Sequence, residues 1–280
     1  MRLLLSGSGG FIGKQVFSHF VEKGYEVVCL QRKSPDIFDW DLPPNDFDVV
    51  IHLAGEPIFA RWTKEKKRKI LLSRSLGTTN LVVLLLKNPP KVFISASAIG
   101  FYGDRGEEVL DEESSSGSGF LPKVCREWEM ASAPLEVAGT RVVHARFGVV
   151  IGKGGLLQKC RSLYKMGLGG TLGSGNQWLS WIALKDLVRA LDFCSEHPEI
   201  KGAINLVSPH SIRQKDFANL LAKSLHRPAF FHLPASFLKI LLGDMAKETL
   251  LSSQHVLPKK LQNRHFSFEV PQFKDAILCP

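Results

Sequence analysis

No run of about 18 apolar residues occurs in the 280-residue chain, which excludes a membrane-spanning helix on length. Short apolar patches such as Leu81 to Leu86 read as core helix. No C-x-x-C pair occurs among the five cysteines, Cys29, Cys125, Cys160, Cys194 and Cys279. Their scatter and odd count exclude a disulfide framework and a zinc site, so they read as reduced thiols and no metal is expected. No signal-peptide pattern precedes the first apolar run, and the expected location is the cytoplasm. No basic-aromatic array accompanies the net charge of +9, so a nucleic-acid partner is not expected, nor a membrane surface. The densest cluster, Lys64-Glu65-Lys66-Lys67-Arg68-Lys69, contains a carboxylate and follows Thr63, a capping residue. It reads as the solvated face of a helix.

What is present is an ordinary globular composition, 44% apolar and 22% charged, enough to bury a full core. The chain is organised around its start. Leu3-Leu4-Leu5 empties into Ser6-Gly7-Ser8-Gly9-Gly10-Phe11-Ile12-Gly13, a buried strand followed by glycines at Gly7, Gly10 and Gly13. Glycine there lets bare backbone N–H groups approach a pyrophosphate that a Cβ would block. Residues 14–23 then place Val16, Phe17, Phe20 and Val21 on one helical face, and Gly24 sits where a left-handed cap falls. Glu26 to Leu30 is a second buried strand. Strand, glycine turn, helix and strand within about 30 residues make the βαβ unit that binds dinucleotides.

One further absence selects the dinucleotide. A carboxylate at the end of the second strand would accept hydrogen bonds from the ribose 2′-hydroxyl of NAD, and this chain carries Gln31-Arg32-Lys33 instead. Two cations suit a 2′-phosphate. The expected cofactor is NADP(H), with Arg32 first and Lys33 second.

Beyond the connector from Asp36 to Asp46, Asp48 to Gly55 is another buried strand, and Leu53, Ala54 and Gly55 leave room for the cofactor. Trp62 to Leu86 reads as a helix with Leu71, Leu72, Leu76, Leu81 and Val82 inward, and Lys91 to Ser95 as a strand. That strand opens into Ala96-Ser97-Ala98-Ile99-Gly100-Phe101-Tyr102-Gly103, and hydroxyls such as Ser95 and Ser97 at a parallel strand's carboxyl end face the crevice. Asp104 to Gly119 reads as an acidic, mobile loop. Phe120 to Ala133 reads as helix, Thr140 to Val150 as strand, Leu156 to Met166 as helix, Lys185 to Cys194 as helix and Ala203 to Val207 as strand. The glycine-rich Gly167 to Asn176 is assigned to the substrate side. After Ser211 the βα alternation gives way to short mixed elements, the mark of a smaller lobe.

Ordered along the chain, these motifs resemble the extended short-chain dehydrogenase/reductase superfamily, and within it the epimerase-family proteins with a small C-terminal domain of unassigned function. The carriers are Gly7 to Gly13, His52 to Glu56, Arg61-Trp62-Thr63, Ser73-Arg74 with Gly77-Thr78, Ser95 to Gly103, Trp128-Glu129 and Arg146 to Gly152. Gly167 to Gly170, Gly173 to Gln177, Trp181-Ile182, Asp186-Leu187 and Gln254 to Leu261 continue the match. The resemblance implies an α/β fold, a Rossmann-type doubly wound parallel sheet with a small C-terminal α+β substrate lobe. The Rossmann domain is expected at residues 1–152, completed by about 182–208, and the lobe at 153–181 and 209–280. Cofactor contacts are expected from Gly7, Gly10, Phe11, Ile12, Gly13, Arg32, Lys33, Leu53, Ala54, Gly55, Arg74, Ser95, Lys123 and Arg146. Monomer or homodimer is the expected assembly.

The superfamily's chemistry uses a Ser or Thr, a Tyr, and a Lys four residues after that Tyr. Ser97 matches the hydroxyl, either as a substrate-orienting group or as a turn-capping serine. Lys123 has Gly119 four residues before it and Phe120 beside it, so the usual tyrosine is missing. Tyr102 is the substitute, or a buried aromatic; Lys123 touches the ribose, or sits in solvent at a helix start. Ala183 stands where relatives usually carry His. His52 packs beneath the cofactor. Arg74 meets a pyrophosphate or an acidic substrate, or forms a structural ion pair. Gly100, Trp178 and Trp181 are the candidate substrate contacts, the tryptophans being core residues otherwise. The expected activity is oxidoreduction or epimerisation of a small polar carbonyl or hydroxyl compound. The alternative, drawn from the missing tyrosine, is a non-catalytic NADP(H)-binding regulatory or redox-sensing protein, a reading that fits the label of some members of the family as influencing cell or organelle division.

Overall fold

The computed structural model describes residues 1–32, 40–43 and 46–278. The Lys33 and Cys279 assignments, the Arg32 side chain and most of the 36–46 connector lie outside the described residues.

Leu3, Leu4 and Leu5 have no exposed surface, as befits a strand covered by helices on both faces. This strand, β1 (Arg2–Ser6), passes through the glycine turn into α1 (Phe11–Glu22), and Gly24, at φ +81°, turns the chain into β2 (Glu26–Arg32). α1 buries Val16 and Phe20 but leaves Phe17 and Val21 37% and 46% exposed. Its inward stripe is therefore narrower than the expected four residues, because only positions a full turn apart meet the sheet.

Next come β3 (Trp40–Asp41), β4 (Val49–His52) and α2 (Lys64–Leu85), whose first turn is capped by the Thr63 hydroxyl accepting from the Lys66 N–H at 3.1 Å. The buried face of α2 is Ile70, Ser73, Gly77, Thr78, Leu81, Val82 and Leu85, while Leu76 is exposed. The reason is contact. The Trp40 indole donates to the Gly77 carbonyl at 2.8 Å and draws the small-residue side of the helix inward.

β5 (Val92–Ala98) runs into a 3-10 turn, Ile99–Tyr102, followed by β6 (Val109–Leu110), α3 (Phe120–Met130) and α4 (Ala133–Val137). The strand expected over 140–150 is two, β7 (Arg141–Phe147) and β8 (Val149–Ile151). At Gly148 the backbone N–H still bonds Leu206, whereas the Val149 N–H bonds Ser180 at 2.9 Å, so the chain leaves the central sheet there. α5 (Gly155–Lys165), β9 (Gly170–Leu172), β10 (Trp178–Leu179), β11 (Trp181–Ala183) and α6 (Leu184–Glu196) follow, and β12 (Gly202–Leu206) returns to the sheet. The tail comprises β13 (Ile212–Arg213), α7 (Gln214–Ser224), β14 (Phe231–Leu233), α8 (Ala235–Leu242), a π-turn (Ala246–Leu250), β15 (His255–Val256), α9 (Lys259–Asn263) and α10 (Phe273–Leu278).

The central sheet has the order β12-β7-β5-β4-β1-β2-β3, every pair parallel except β2 with β3. Strand order reverses beside β1, and a doubly wound sheet opens its ligand crevice at the carboxyl ends there. This is the expected Rossmann-type architecture. The C-terminal lobe has its own core, in which Leu157, Tyr164, Trp181, Phe217, Leu221, Phe273 and Ile277 pack together.

The 104–119 segment is held at several points. β6 pairs with β15, the Arg105 N–H bonds the Ser253 carbonyl at 3.0 Å, and the Glu112 carboxylate accepts from the Asn205 and Lys260 N–H groups at 3.1 and 3.2 Å. Its acidic residues anchor it to β12 and to the C-terminal tail. The expectation of an irregular loop misses the β6–β15 pairing, because strands of two residues carry no periodic signal.

Candidate cofactor site

The glycine turn is built for close approach. Gly7 takes φ +74°, and a Cβ on it would lie 3.0 Å from the Ala54 nitrogen; a Cβ on Gly13 would drive into the Gly7 carbonyl. α1 starts at Gly10 with no side-chain cap and no acidic residue in its first turn. Its leading N–H groups and the positive end of its dipole therefore face the crevice. Ser6 Oγ accepts from the Leu53 and Ala54 N–H groups at 3.0 and 3.2 Å and bonds His52 Nδ1 at 2.7 Å, which fixes the end of β4 against the turn. Gly7, Ser8, Gly9, Gly10, Leu53, Ala54, Gly55 and Trp40 line an open pocket of about 240 Å³. Ser6 and Trp40 went unforeseen, since neither belongs to a spaced motif.

His52 is fully buried, and burial pushes its imidazole down to about 4, so it is neutral at pH 7. Arg74 lies directly under Gly55, 3.3 Å from where a Cβ would be. Its Nη1 donates to the Glu56 and Ile70 carbonyls at 3.0 and 3.2 Å, and the guanidinium stands 5.0 Å from the Trp128 ring centroid. Burial pulls it down to about 10. It makes no ion pair with a carboxylate among the described residues, contrary to the structural alternative for this residue.

The end of β5 is arranged differently from expectation. Ser97 Oγ donates to Glu129 at 2.7 Å and is buried. Arg146 grips the same carboxylate through Nε and Nη2, both at 2.9 Å, and donates from Nη1 to the Tyr102 hydroxyl at 3.1 Å. The Tyr102 hydroxyl donates to Asn205 Oδ1 at 2.8 Å. Burial pushes the Tyr102 phenol up to about 12. At Arg146 burial acts downward, but the Glu129 bonds and charge outweigh it and hold the guanidinium above its ordinary value. Ser97, Tyr102 and Arg146 thus belong to one closed network, not to an open crevice. The Ser97 and Tyr102 hydroxyls donate to Glu129 and Asn205, and the Arg146 guanidinium to Glu129 and Tyr102.

Other expected contacts also move. Ser95 is buried in mid-strand, level with His52 and His144. Gly100 packs under Leu121 of α3. Trp181 is wholly buried, donates to the His210 carbonyl at 2.8 Å and meets Phe273 edge-on, so it is lobe core and no substrate wall. Trp178 stacks on His255 at 4.3 Å, carries the Arg213 guanidinium 3.6 Å from its centroid and donates to Glu107 at 3.0 Å, so it ties the 104–119 segment to the lobe. The Phe11 ring packs on Gly152, Gly154 and Gly155, where the chain crosses into α5. Ile12 is half-buried against the core beneath the turn. Lys123 keeps a side chain 57% exposed, with Glu127 at 3.8 Å. Glu129 and Asn205, which complete the network, are 76 residues apart, and no sequence spacing links them.

Comparison with known proteins fits this geometry. The model of the NAD dependent epimerase/dehydratase family matches residues 3–206, and a domain of unknown function (DUF1731) matches residues 233–278. The chain belongs to the NAD-dependent epimerase/dehydratase family. Among epimerase-family relatives, one from Mycobacterium bovis is 34% identical, covering 98% of this chain and 95% of its own. A chloroplastic homologue from Arabidopsis thaliana is 35% identical, covering 99% and 86%. The crystal structure of human epimerase family protein SDR39U1, solved with NADPH, superposes with a TM-score of 0.90 at 30% identity, covering 99% of this chain and 98% of that one. As in the epimerase fold generally, the sheet is mostly parallel and a C-terminal lobe follows it. Among the described residues no helix is long and apolar enough to cross a membrane, and no cluster of His, Cys, Asp or Glu is arranged to hold a metal.

Proposed function

We propose that the chain binds NADP(H) at the carboxyl ends of β1 and β4 and acts as an NADP-dependent oxidoreductase or epimerase on a small carbonyl or hydroxyl compound. The observation that carries the reading is the uncapped start of α1 behind Gly7, Gly10 and Gly13, with Arg74 beneath Gly55 as a half-buried cation that pairs with no carboxylate among the described residues. A pyrophosphate meets both needs: it accepts from the free N–H groups and balances the charge. Leu53, Ala54 and Gly55 line the same pocket and would flank the cofactor. Arg32 and Lys33 are assigned the 2′-phosphate on sequence alone. The human relative solved with NADPH supports the same choice.

When bound, NADP(H) supplies hydride donation or acceptance at the nicotinamide C4. Lys123 is the one member of the expected trio with an exposed ionisable head, and its ammonium would hold the ribose and provide the proton source. Ser97 and Tyr102 would instead fix the strand end on which the nicotinamide rests. We assign the Rossmann domain to residues 1–152 and about 182–208, and the substrate lobe to 153–181 and 209–280. The described cysteines are free thiols, and burial pushes Cys125, Cys160 and Cys194 up to about 12, 11 and 12. Free thiols suit a reducing compartment, and we assign the chain to the cytoplasm.

A second reading, an NADP(H)-binding redox sensor that turns nothing over, draws on one specific observation. The hydroxyls of Ser97 and Tyr102 are both committed inside the protein. A panel of aldehydes and ketones with NADPH, followed by absorbance, separates the two. The enzyme reading expects turnover that Ser97→Ala leaves within about twofold and Lys123→Met lowers at least about tenfold. NADPH binding without turnover on any panel member favours the sensor.

A further inference from the structure

The two walls of the cofactor crevice belong to opposite faces of the central sheet. Val16 of α1 joins Leu3 and Leu5 in the core on one face, whereas Leu81 of α2 joins Leu4 in the core on the other. A contact made from the start of α1 to the segment leading into α2 therefore passes over the ends of β1 and β4, where the crevice opens.

One such contact exists, and it runs through α5. This helix begins against the first residue of α1: a Cβ on Gly154 would fall 2.7 Å from the Phe11 ring, and one on Gly155 3.0 Å from it. Lys159 follows Gly155 by four residues, on the same side of the helix, and its Nζ stands 5.8 Å from the centroid of the Phe59 ring. Phe59 lies four residues beyond Gly55, on the segment that joins β4 to α2. Gly10, next to Phe11, and Gly55 both line the pocket at the glycine turn. The Lys159–Phe59 contact is thus a bridge whose two feet stand on opposite walls of that pocket.

Packing does not account for either residue. Phe59 is 42% exposed and meets no other ring among the described residues, and Lys159 is exposed and pairs with no carboxylate among them. The face of the ring attracts the ammonium without neutralising it, so the bridge carries a full positive charge. The start of α1, uncapped and with no acidic residue in its first turn, presents the positive end of its dipole to the same crevice.

We propose that Phe59 and Lys159 are further cofactor-binding residues, forming a clasp that closes over the pyrophosphate of a bound dinucleotide and slows its release. The proposal rests on the cofactor reading above and adds to it the groups that retain the cofactor. The clasp acts on the leaving rate, because ring and ammonium must part before the dinucleotide can lift off the glycine turn.

The test is stopped-flow release of NADPH from the full chain, chased with excess NADP+ and followed by nicotinamide fluorescence, for wild type, Phe59→Leu, Lys159→Met and the double variant. An exposed cation–π contact corresponds to a factor of about two to five in a rate constant. Each single variant should raise koff by about that factor with kon within about twofold of wild type. The double variant should release NADPH no faster than the faster single variant, since either change alone opens the clasp. An unchanged koff in either single variant, or factors that multiply in the double, overturns the proposal. So does a loss of affinity carried by kon alone, the mark of a surface charge acting at a distance. A chain that binds no NADPH at all fails at the cofactor reading instead, and takes the clasp with it.

Discussion

Removing the Glu129 carboxylate is the sharpest structural perturbation available. Glu129 accepts three hydrogen bonds, from Ser97 Oγ at 2.7 Å and from Arg146 Nε and Nη2 at 2.9 Å each, and the pair's side chains are 11% and 5% exposed. Glu129→Ala leaves the Arg146 guanidinium with only the Tyr102 hydroxyl as acceptor. Stranding one member of a buried ion pair costs about 3–5 kcal/mol. Residual exposure of Glu129 places the expectation near about 3 kcal/mol, or a fall in Tm of about 6–10 °C for a chain of this size. Replacing both partners with apolar residues, Glu129→Leu with Arg146→Met, should recover most of the loss, because the desolvation cost of both charges disappears. The assay is urea unfolding of wild type, both single variants and the double. A Glu129→Ala loss under about 1 kcal/mol, or a double variant no better than the singles, would refute the closed network and return Ser97 to the crevice.

Gly13→Ala should weaken NADPH binding about tenfold or more with the fold intact, since the added methyl collides with the Gly7 carbonyl and costs about 1–3 kcal/mol to accommodate in the turn; fluorescence titration of the variant checks it. His52, neutral when folded and pushed down to about 4, gives a pH dependence of definite sign. Above the ordinary value of 6.5 the group is neutral in both states and contributes nothing. As pH falls from there towards about 4 the unfolded chain takes up a proton the folded one refuses, so stability drops by up to about 1.4 kcal/mol per pH unit. His144 and His255, also pulled down by burial, act in the same direction. Urea midpoints measured across that range should fall, and His52→Asn should make the slope shallower.

The cofactor half of the molecule was legible because its signals are local. The β1 run, the turn glycines and the α1 period all lie within two dozen residues, and glycine at Gly7 and Gly13 has a steric cause that residue type alone reveals. Faces were harder: α2 turns Ser73, Gly77 and Thr78 inward and Leu76 outward, since the Trp40 bond rather than apolar count sets its rotation. The strand-end chemistry was not legible. Ser97, Tyr102 and Arg146 carry the right residue types, but their partners are Glu129 on α3 and Asn205 on β12, which only the packing of α3 and β12 against the ends of β5 and β7 brings to them. The lobe's paired strands of two or three residues are similarly silent, having no room for a period.

Calorimetric titration of the purified chain with NADPH and with NADH tests the central claim most directly. The account predicts one site per chain, with NADPH the tighter ligand by about 2–4 kcal/mol if Arg32 and Lys33 each form a charge-assisted bond to the 2′-phosphate. No binding of either dinucleotide, or equal affinity for both, would contradict it.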